Sequence, residues 1–385
     1  MARTVITLKG ITWNHSRGFV PLVATAQRFS EMYPNVRIVW EERSLQEFAD
    51  YPIQKLADRY DLLVIDHPWA GFAANSRVLL PLQDYLPADY LADQAENSVG
   101  KSFASYNFDG YQCALAIDAA TPVAAYRPDL LARAEVDVPQ TWDDLLNLAK
   151  KGWVALPGIP LDTLMNFYML CSTYGEGPFD ENDEWVVSTA VGVQVLDQLR
   201  ELVSYCTPEI YHWNPIAVYE ALSSRNDLAY CPFAYGYSNY ARPGYAPNQL
   251  VFDDMVSVGE YGPCRTTLGG TGLAISSTCQ HLYTALKYVQ YTASPECQRT
   301  LFFESGGQPG HRTAWLDDTV NQRSNNFFIN TLPALDRAYL RPRYPNYLYF
   351  QDNAGVLVQD YLLHGGDPKA VLKALEKLYR ESRAN

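Results

Sequence analysis

The sequence predicts an α/β fold with two units, each built from a mostly parallel sheet with helices on its faces. Strand and helix patterns alternate in a β-α-β-α-β rhythm over residues 4–70, which indicates a parallel sheet. A second alternation follows over 120–245. The length of 385 residues fits two domains at about 150 residues each, and a hydrophobic content of 48% can fill two cores.

The elements of the first unit follow from periodicity. Apolar and polar side chains alternate over 4–8, which predicts a strand that breaks at Gly10. Apolar residues then recur at helical spacing as far as Tyr33, and Pro34 ends this helix. The next predicted elements are a strand over 36–40, a helix over 45–58 and an apolar strand over 62–65.

The second unit begins with extended segments at 114–118 and 122–126. A helix is predicted to start near Trp142, where Thr141 is a good N-cap and Asp144 completes a capping box. The remaining predicted elements are strands over 154–157, 228–233 and 268–275, and helices over 162–174, 188–205, 279–293, 295–304, 354–364 and 367–382.

Composition and charge exclude several classes of protein. The net charge of −13 leaves no basic surface for nucleic acid, and no apolar run is long enough to span a bilayer. The seven cysteines form no C-x-x-C pair, and the histidines lack metal-ligand spacing, so we expect no metal and no cofactor. This cysteine usage favours a reducing compartment. The N-terminus does not read as a secretory signal, so the chain is either cytoplasmic or a mature form.

Polar and aromatic side chains gather where the predicted strands end, at 13–17, 41–43 and 66–69. Ligands of parallel sheets bind beyond the carboxyl ends of the strands. Flat aromatic faces beside hydrogen-bonding groups suit a polyhydroxylated ligand. For Trp13 and Trp69 core packing is the alternative, and Arg17 could either form an ion pair or clamp a carboxylate. The candidate residues at strand ends are Trp13, Asn14, His15, Arg17, Asp66, His67, Trp69, Tyr235 and Tyr237.

Several motifs, in this order, give the chain a resemblance to a known family. They are Tyr60–Asp66 (YDLLVID), Pro139–Leu145 (PQTWDDL), Gly269–Ser276 (GGTGLAIS) and Ser305–Arg312 (SGGQPGHR). With them, the chain resembles the extracellular solute-binding proteins of ABC importers, the family that includes maltose-binding protein. The resemblance covers about residues 3–383.

The resemblance implies a two-lobed periplasmic-binding-protein fold of type II, with the ligand in a cleft between the lobes that closes by hinge motion. It implies a first lobe of residues 1–115 plus 255–312 and a second of 116–254 plus 313–385. The hinge segments would lie near 114–120 and 250–268.

The resemblance also implies which residues contact the ligand. Those of the first lobe and the crossover are Trp13, Asn14, His15, Asp66, His67, Trp69 and Asp118. Those of the second lobe are Tyr235 and Tyr237, with Gly269 and Gly270 bringing backbone close and Tyr347 as a further aromatic.

The predicted function is capture of a small polar solute, a carbohydrate or a polyol, and its delivery to ABC permease subunits in the membrane. The protein would act as a monomer without catalytic residues, and a mature form would be periplasmic or otherwise extracytoplasmic. One alternative is an anionic solute held by Arg17 and the histidines. Another is a hydrolase that uses Asp66, His67 and Asp118.

Overall fold

The chain folds into two compact units. The computed structural model describes residues 5–50, 52–179 and 185–384. The first unit contains the chain up to Ala120 together with Gly269–Asn321 and Arg343–Pro345. The second contains Thr121–Leu268, Gln322–Pro342 and the chain from Asn346 onward.

These boundaries differ from the expected ones, which follow residues 115, 254 and 312. Hydrogen bonds explain the differences. Residues 116–120 belong to the first unit because they pair with the Gly-rich strand that begins at Gly269. Residues 255–268 lie in the second unit, where the Leu268 amide donates to the Tyr339 carbonyl over 2.7 Å. Residues 313–321 stay in the first unit, where the Trp315 indole donates to the Pro309 carbonyl over 2.7 Å.

The strands of the described residues are β1 (Ile6–Trp13), β2 (Val36–Arg43), β3 (Leu62–Ile65), β4 (Asn107–Phe108), β5 (Tyr111–Gln112), β6 (Leu115–Ala120), β7 (Pro122–Tyr126), β8 (Tyr230–Tyr235), β9 (Val251–Asp253) and β10 (Gly269–Ile275).

The first unit is built on a five-stranded sheet in the order β2-β1-β3-β10-β6. β1 pairs in parallel with β2 and β3, as predicted, whereas β10 runs antiparallel to both β3 and β6. The first strand does not break at Gly10: a Cβ there would lie 2.5 Å from the Trp40 ring, so glycine lets β2 approach while the strand continues to Trp13. Thr4, where the predicted strand began, lies outside the described residues.

The second unit differs from the expected mostly parallel sheet. Its three-stranded sheet has the order β8-β7-β9, and both pairs are antiparallel. β7 is joined to β6 by Thr121 alone, so both belong to one nearly continuous run of chain that passes from one sheet to the other. The predicted strand at 154–157 is reduced to a parallel bridge between Val154 and Tyr230.

The helices of the described residues are α1 (Ser16–Met32), α2 (Leu45–Asp50), α3 (Ile53–Ala57), α4 (Ala70–Ser76), α5 (Ala88–Glu96), α6 (Ser102–Ser105), α7 (Pro128–Arg133), α8 (Trp142–Ala149), α9 (Pro160–Thr173), α10 (Thr189–Ser204), α11 (Pro215–Ser224), α12 (Leu282–Ala293), α13 (Pro295–Cys297), α14 (Arg312–Trp315), α15 (Asp318–Arg323), α16 (Phe327–Asp336), α17 (Tyr347–His364) and α18 (Pro368–Ala384).

Most helices agree with the periodicity of the sequence. The capping box at the start of α8 is present, with the Thr141 hydroxyl accepting from the Asp144 amide over 3.2 Å. The helix expected over 45–58 is instead two short helices, α2 and α3, with Pro52 between them. The helix expected over 295–304 is the short helix α13 followed by a π-helix at Gln298–Phe302.

The core of the first unit lies between the sheet and the helices α1 and α12. Leu22 and Phe29 of α1 are 1% exposed, and they belong to one buried cluster with strand residues such as Leu8 and Ile117. Tyr288 of α12 is buried in this cluster, where its hydroxyl accepts from the Trp40 indole over 3.1 Å. This packing holds α1 against α12, since the Thr25 hydroxyl of α1 lies 2.9 Å from that of Tyr288. Among the described residues, no helix is both long and apolar enough to cross a membrane.

Candidate functional site

The candidate site is one edge of the first unit's sheet. β1, β2 and β3 are parallel, so their carboxyl ends meet at this edge. β10 runs in the opposite direction and begins there, and β6, antiparallel to β10, ends there. We call the residues at these termini the strand-end edge: 13–17, 43, 66–69, 118–120 and 269–271.

The strongest electrostatic feature of the strand-end edge is a buried ion pair between Arg17 and Asp118. The guanidinium Nε donates to the Asp118 Oδ2 over 2.8 Å, and Nη2 donates to Oδ1 over 2.5 Å. The two side chains are 4% and 1% exposed. Burial raises the pKa of the Asp118 carboxyl, and the Arg17 charge and hydrogen bonds act against that rise.

This ion pair extends across the edge of the sheet. Arg17 lies in the first turn of α1, directly after β1, whereas Asp118 lies on β6, and β3 and β10 separate those two strands. With neighbouring strands about 4.8 Å apart, β1 and β6 lie roughly 14 Å from each other. The pair therefore passes over the ends of the strands between them. The sequence predicted both residues for the site but did not predict that they bind each other.

His15 organises the start of α1. Its Nδ1 accepts from the Arg17 amide over 3.0 Å, so the imidazole serves as the N-cap of the helix. Burial and the nearby Arg17 charge lower the pKa of His15 to about 4. At neutral pH this imidazole is therefore uncharged, and it does not add to an anion-binding charge.

Asp66, His67 and Trp69 follow β3 in a short 3₁₀ helix. The Asp66 carboxylate caps this helix by accepting from the His67 amide over 2.8 Å, and its side chain is 20% exposed. The His67 ring is fully buried, lies 3.1 Å from the Asp66 carboxylate and contacts the Tyr106 ring edge-on. Of the three, Asp66 presents the largest exposed fraction, whereas His67 packs beneath it.

The two tryptophans of the strand-end edge combine packing with an unused donor. Trp13 is 4% exposed, and its ring lies 5.3 Å from that of Phe48. Trp69 is 8% exposed, and its ring lies edge-on to that of Phe72. In both, the indole Nε1 is buried and has no hydrogen-bond partner among the described residues. Core packing, the alternative considered from the sequence, thus accounts for the rings but leaves both N–H groups without an acceptor.

Strand packing explains Gly270, near the start of β10. A Cβ at Gly270 would lie 2.3 Å from the Asp118 carbonyl oxygen, and the residue has φ +99°. Gly269 and Gly270 are both half-buried at the edge, so their backbone is accessible. At Gly270 the backbone thus lies close to β6, the neighbouring strand. The backbone contacts of Gly269 and Gly270 with a ligand remain predictions.

The two predicted site tyrosines at and just after the end of β8, Tyr235 and Tyr237, differ in burial. Tyr235 ends β8 half-buried, and its hydroxyl lies 3.0 Å from that of Thr267. Tyr237 is 5% exposed and contacts the Tyr219 ring, so its face is used in packing. Tyr235 remains a predicted ligand contact of this unit.

Tyr347 lies in the core of the second unit. It is 0% exposed at the start of α17, and its ring stacks on Phe350 and meets Phe179 edge-on. Its hydroxyl donates to the Tyr168 hydroxyl over 3.4 Å. Packing explains this aromatic residue, in contrast to the ligand contact that the resemblance implied.

Comparisons with known proteins show the family of this chain. The family model for bacterial extracellular solute-binding proteins matches residues 12–299, which is more than half of the chain. The chain belongs to this family. An arabinooligosaccharide-binding protein of Halalkalibacterium halodurans is 24% identical over 336 residues, which are 83% of this chain and 71% of that protein.

Solved structures of solute-binding proteins share the fold. A maltose-bound MalE3 of T. maritima has a TM-score of 0.85 and 18% identity, covering 98% of this chain and 100% of that one. A solute-binding protein of Agrobacterium radiobacter in complex with ribitol has a TM-score of 0.83 and 20% identity, covering 99% and 100%. The predicted family and the predicted two-lobed fold class of this solute-binding protein are confirmed.

Two residues of the strand-end edge, Arg43 and Thr271, and one that contacts it, Tyr106, were not predicted individually. Tyr106 donates from its hydroxyl to the Ile65 carbonyl over 3.3 Å, which ties it to the end of β3. Arg43 ends β2 with 8% exposure and donates to the Val64 carbonyl over 3.3 Å. Thr271 is 4% exposed, and its hydroxyl has no hydrogen-bond partner among the described residues. For Arg43 a signal existed, since the polar run 41–43 follows a predicted strand. Tyr106 has no such signal, because it reaches the edge from a distant turn.

Proposed function

We propose that this chain is the solute-binding component of an ABC importer and that its solute is a carbohydrate or a polyol. The observation that carries the proposal is the strand-end edge, where two indole N–H donors, a neutral imidazole and a partly exposed carboxylate lie at neighbouring strand ends. Hydroxyl groups of a sugar can accept from the indole N–H groups and donate to the carboxylate. The relatives described above bind an arabinooligosaccharide, maltose and ribitol, which supports the same solute class here.

The ion pair of Arg17 and Asp118 weakens both alternatives. An anionic solute held by Arg17 would have to displace Asp118 from a bidentate, buried contact. A hydrolase that uses Asp118 would need this carboxylate as an acid or a base, yet both of its oxygens accept from Arg17. We therefore expect a solute to be released unchanged, which nuclear magnetic resonance of the recovered solute would check.

The solute class is tested by a thermal-shift screen with maltose, arabinobiose, ribitol and tagatose. A ligand that binds only the folded state adds about 2.7 kcal/mol at 100 times its Kd. For a chain with domains of this size, that corresponds to a rise in Tm of several degrees. No response to any carbohydrate or polyol would contradict the proposal.

Trp69 provides the matching test by substitution. We expect Trp69→Ala to weaken binding of the responding sugar at least tenfold and Trp69→Phe to have a smaller effect, because phenylalanine keeps an aromatic face but lacks the indole N–H. Tyr283→Ala is the control, since Tyr283 is 72% exposed on α12, away from the strand-end edge. Equal affinities for Trp69→Ala and Tyr283→Ala in titration calorimetry would remove Trp69 from the site.

We also propose that the protein works as a monomer outside the cytoplasm and hands its solute to permease subunits. The extracellular character of the family supports this location. Light scattering of the purified protein tests the oligomeric state. Solute-dependent stimulation of ATP hydrolysis by the reconstituted transporter tests the partnership.

A further inference from the structure

We propose that the Arg17–Asp118 pair makes this site selective for uncharged solutes. The pair places the Arg17 cation at the strand-end edge, and the Asp118 carboxylate neutralises it. The inference rests on the proposed function and extends it from a class of solute to a choice by charge. It concerns the edge of the first unit only.

The geometry shows why the pair controls the charge of the edge. Arg17 is the cation of the polar run 13–17, and its guanidinium meets the carboxylate of Asp118 with two parallel hydrogen bonds. Asp118 is 1% exposed, so water does little to screen either charge. As long as the pair is intact, its two charges cancel, and His15 adds no charge at neutral pH because burial lowers its pKa to about 4.

The two remaining charged groups at the edge, Asp66 and Arg43, have opposite signs. Asp66 is ionisable and 20% exposed at the end of β3, so it adds negative charge to the edge. Arg43 lies at the end of β2, where its guanidinium donates to the carbonyls of Glu47 and Val64 over 3.0 and 3.3 Å. Both carbonyls are neutral, so Arg43 keeps its positive charge, which offsets that of Asp66, and it is only 8% exposed. A solute carboxylate at this edge would therefore lose its hydration without meeting an excess of positive charge, whereas a hydroxyl loses less.

Removing the carboxylate should convert the pair into an anion site. In Asp118→Ser the Arg17 guanidinium stays at the start of α1 but loses the carboxylate that neutralises it, and the shorter side chain leaves room for a carboxylate. Removing one partner of a buried ion pair is strongly destabilising. Formate, the smallest carboxylate, should therefore stabilise Asp118→Ser, while the same concentration of chloride should do so less.

The first experiment measures this rescue. We expect formate to raise the Tm of Asp118→Ser by about 3 °C or more in a saturable manner, while the Tm of the wild type does not change. The matched control is the double variant Arg17→Met/Asp118→Ser, which removes both charges of the pair and should not respond. If Asp118→Ser is insoluble, we expect formate to recover it during refolding. Equal responses of the single and double variants, or no recovery, would overturn the inference.

The second experiment measures the choice of solute. Each neutral probe is paired with its aldonic acid: maltose with maltobionate, arabinobiose with arabinobionate, and ribitol with ribonate. We expect the wild type to prefer the neutral member at least tenfold and Asp118→Ser to reduce that preference at least tenfold. A wild type that binds none of the neutral probes refutes the proposed function. A wild type that binds one of them, combined with an unchanged preference in Asp118→Ser, refutes this inference alone.

Discussion

At the scale of single residues, burial decides what an ionisable side chain can do. His15 and Asp118 both lie at the strand-end edge, yet one is neutral because of burial and the other is held by a bidentate arginine. The sequence shows the residue types but not their surroundings. Arg17 could clamp a solute or pair with a carboxylate, and the structure supplies the carboxylate from a residue 101 positions away.

Asp162 gives a second example in the second unit. It is 4% exposed in the first turn of α9, and its Oδ2 has no hydrogen-bond partner among the described residues. Burial raises the pKa of Asp162 to about 8. The unfolded chain releases this proton near pH 4, whereas the folded chain keeps it up to about pH 8.

The free energy of unfolding should consequently depend on Asp162 in a definite direction. Between about pH 4 and pH 8 the folded state binds more protons than the unfolded state, so stability falls as the pH rises through this range. We expect Asp162→Asn to stabilise the protein by at least about 1 kcal/mol at pH 7.5, with the difference shrinking toward pH 4. Urea unfolding at several pH values measures this.

Asp143→Asn is the matched control for Asp162. Asp143 occupies the first turn of α8 in the same unit but is exposed, so its substitution should change stability little at any pH. If Asp162→Asn destabilises the protein at pH 7.5 as much as at pH 4, the carboxyl is not held in its neutral form.

At the scale of elements, close approach between strands explains the glycine-rich segment at the start of β10. The pairing of β10 with β6 shifts register between Thr271 and Gly272, which marks a bulge. Gly270 has φ +99° and faces the β6 backbone at a distance that no side chain tolerates. The bulge thus requires both the backbone freedom and the small volume of glycine.

Gly270→Ala should therefore cost more than an ordinary loss of backbone freedom. We expect destabilisation of about 3 kcal/mol or more, since the new Cβ would lie 2.3 Å from the Asp118 carbonyl oxygen. Gly110→Ala is the control: Gly110 has φ +83° with no atom within 4 Å of its Cβ position, so only about 1 kcal/mol of backbone strain is expected. Equal losses in urea unfolding would show that strand approach does not matter.

At the scale of the whole molecule, the seven cysteines do not act as cross-links. All seven are free thiols: five are buried and two, Cys206 and Cys279, are partly exposed. Burial raises the pKa of these last two thiols to about 12, so few thiolates exist at neutral pH. Both units are thus held by packing and hydrogen bonds.

We therefore expect a reducing agent to leave the Tm unchanged. Without reductant, urea-unfolded protein should react with seven equivalents of a thiol reagent, whereas the native protein should react slowly and first at Cys206 and Cys279. Fewer than seven reactive thiols after unfolding, or a Tm lowered by reductant, would reveal a disulfide.

The sequence by itself determined the elements and the family. Local patterns predicted β3, the capping box of α8 and the long helices, because periodicity and caps depend on neighbouring residues. Ordered motifs such as Gly269–Ser276 indicated the solute-binding family, which the comparisons confirm. The sequence also predicted that the polar clusters after the strands lie together, because neighbouring parallel strands end at the same edge of a sheet.

Tertiary structure alone decided strand direction, burial and pairing. The antiparallel β10, the antiparallel sheet of the second unit and the core position of Tyr347 depend on contacts between distant segments. The pairing of Arg17 with Asp118 is of the same kind, because an ion pair needs two residues that the fold, and not their order in the chain, brings together. The residue type determines which hydrogen bonds and charges a side chain can contribute, whereas long-range packing determines which partner it contacts.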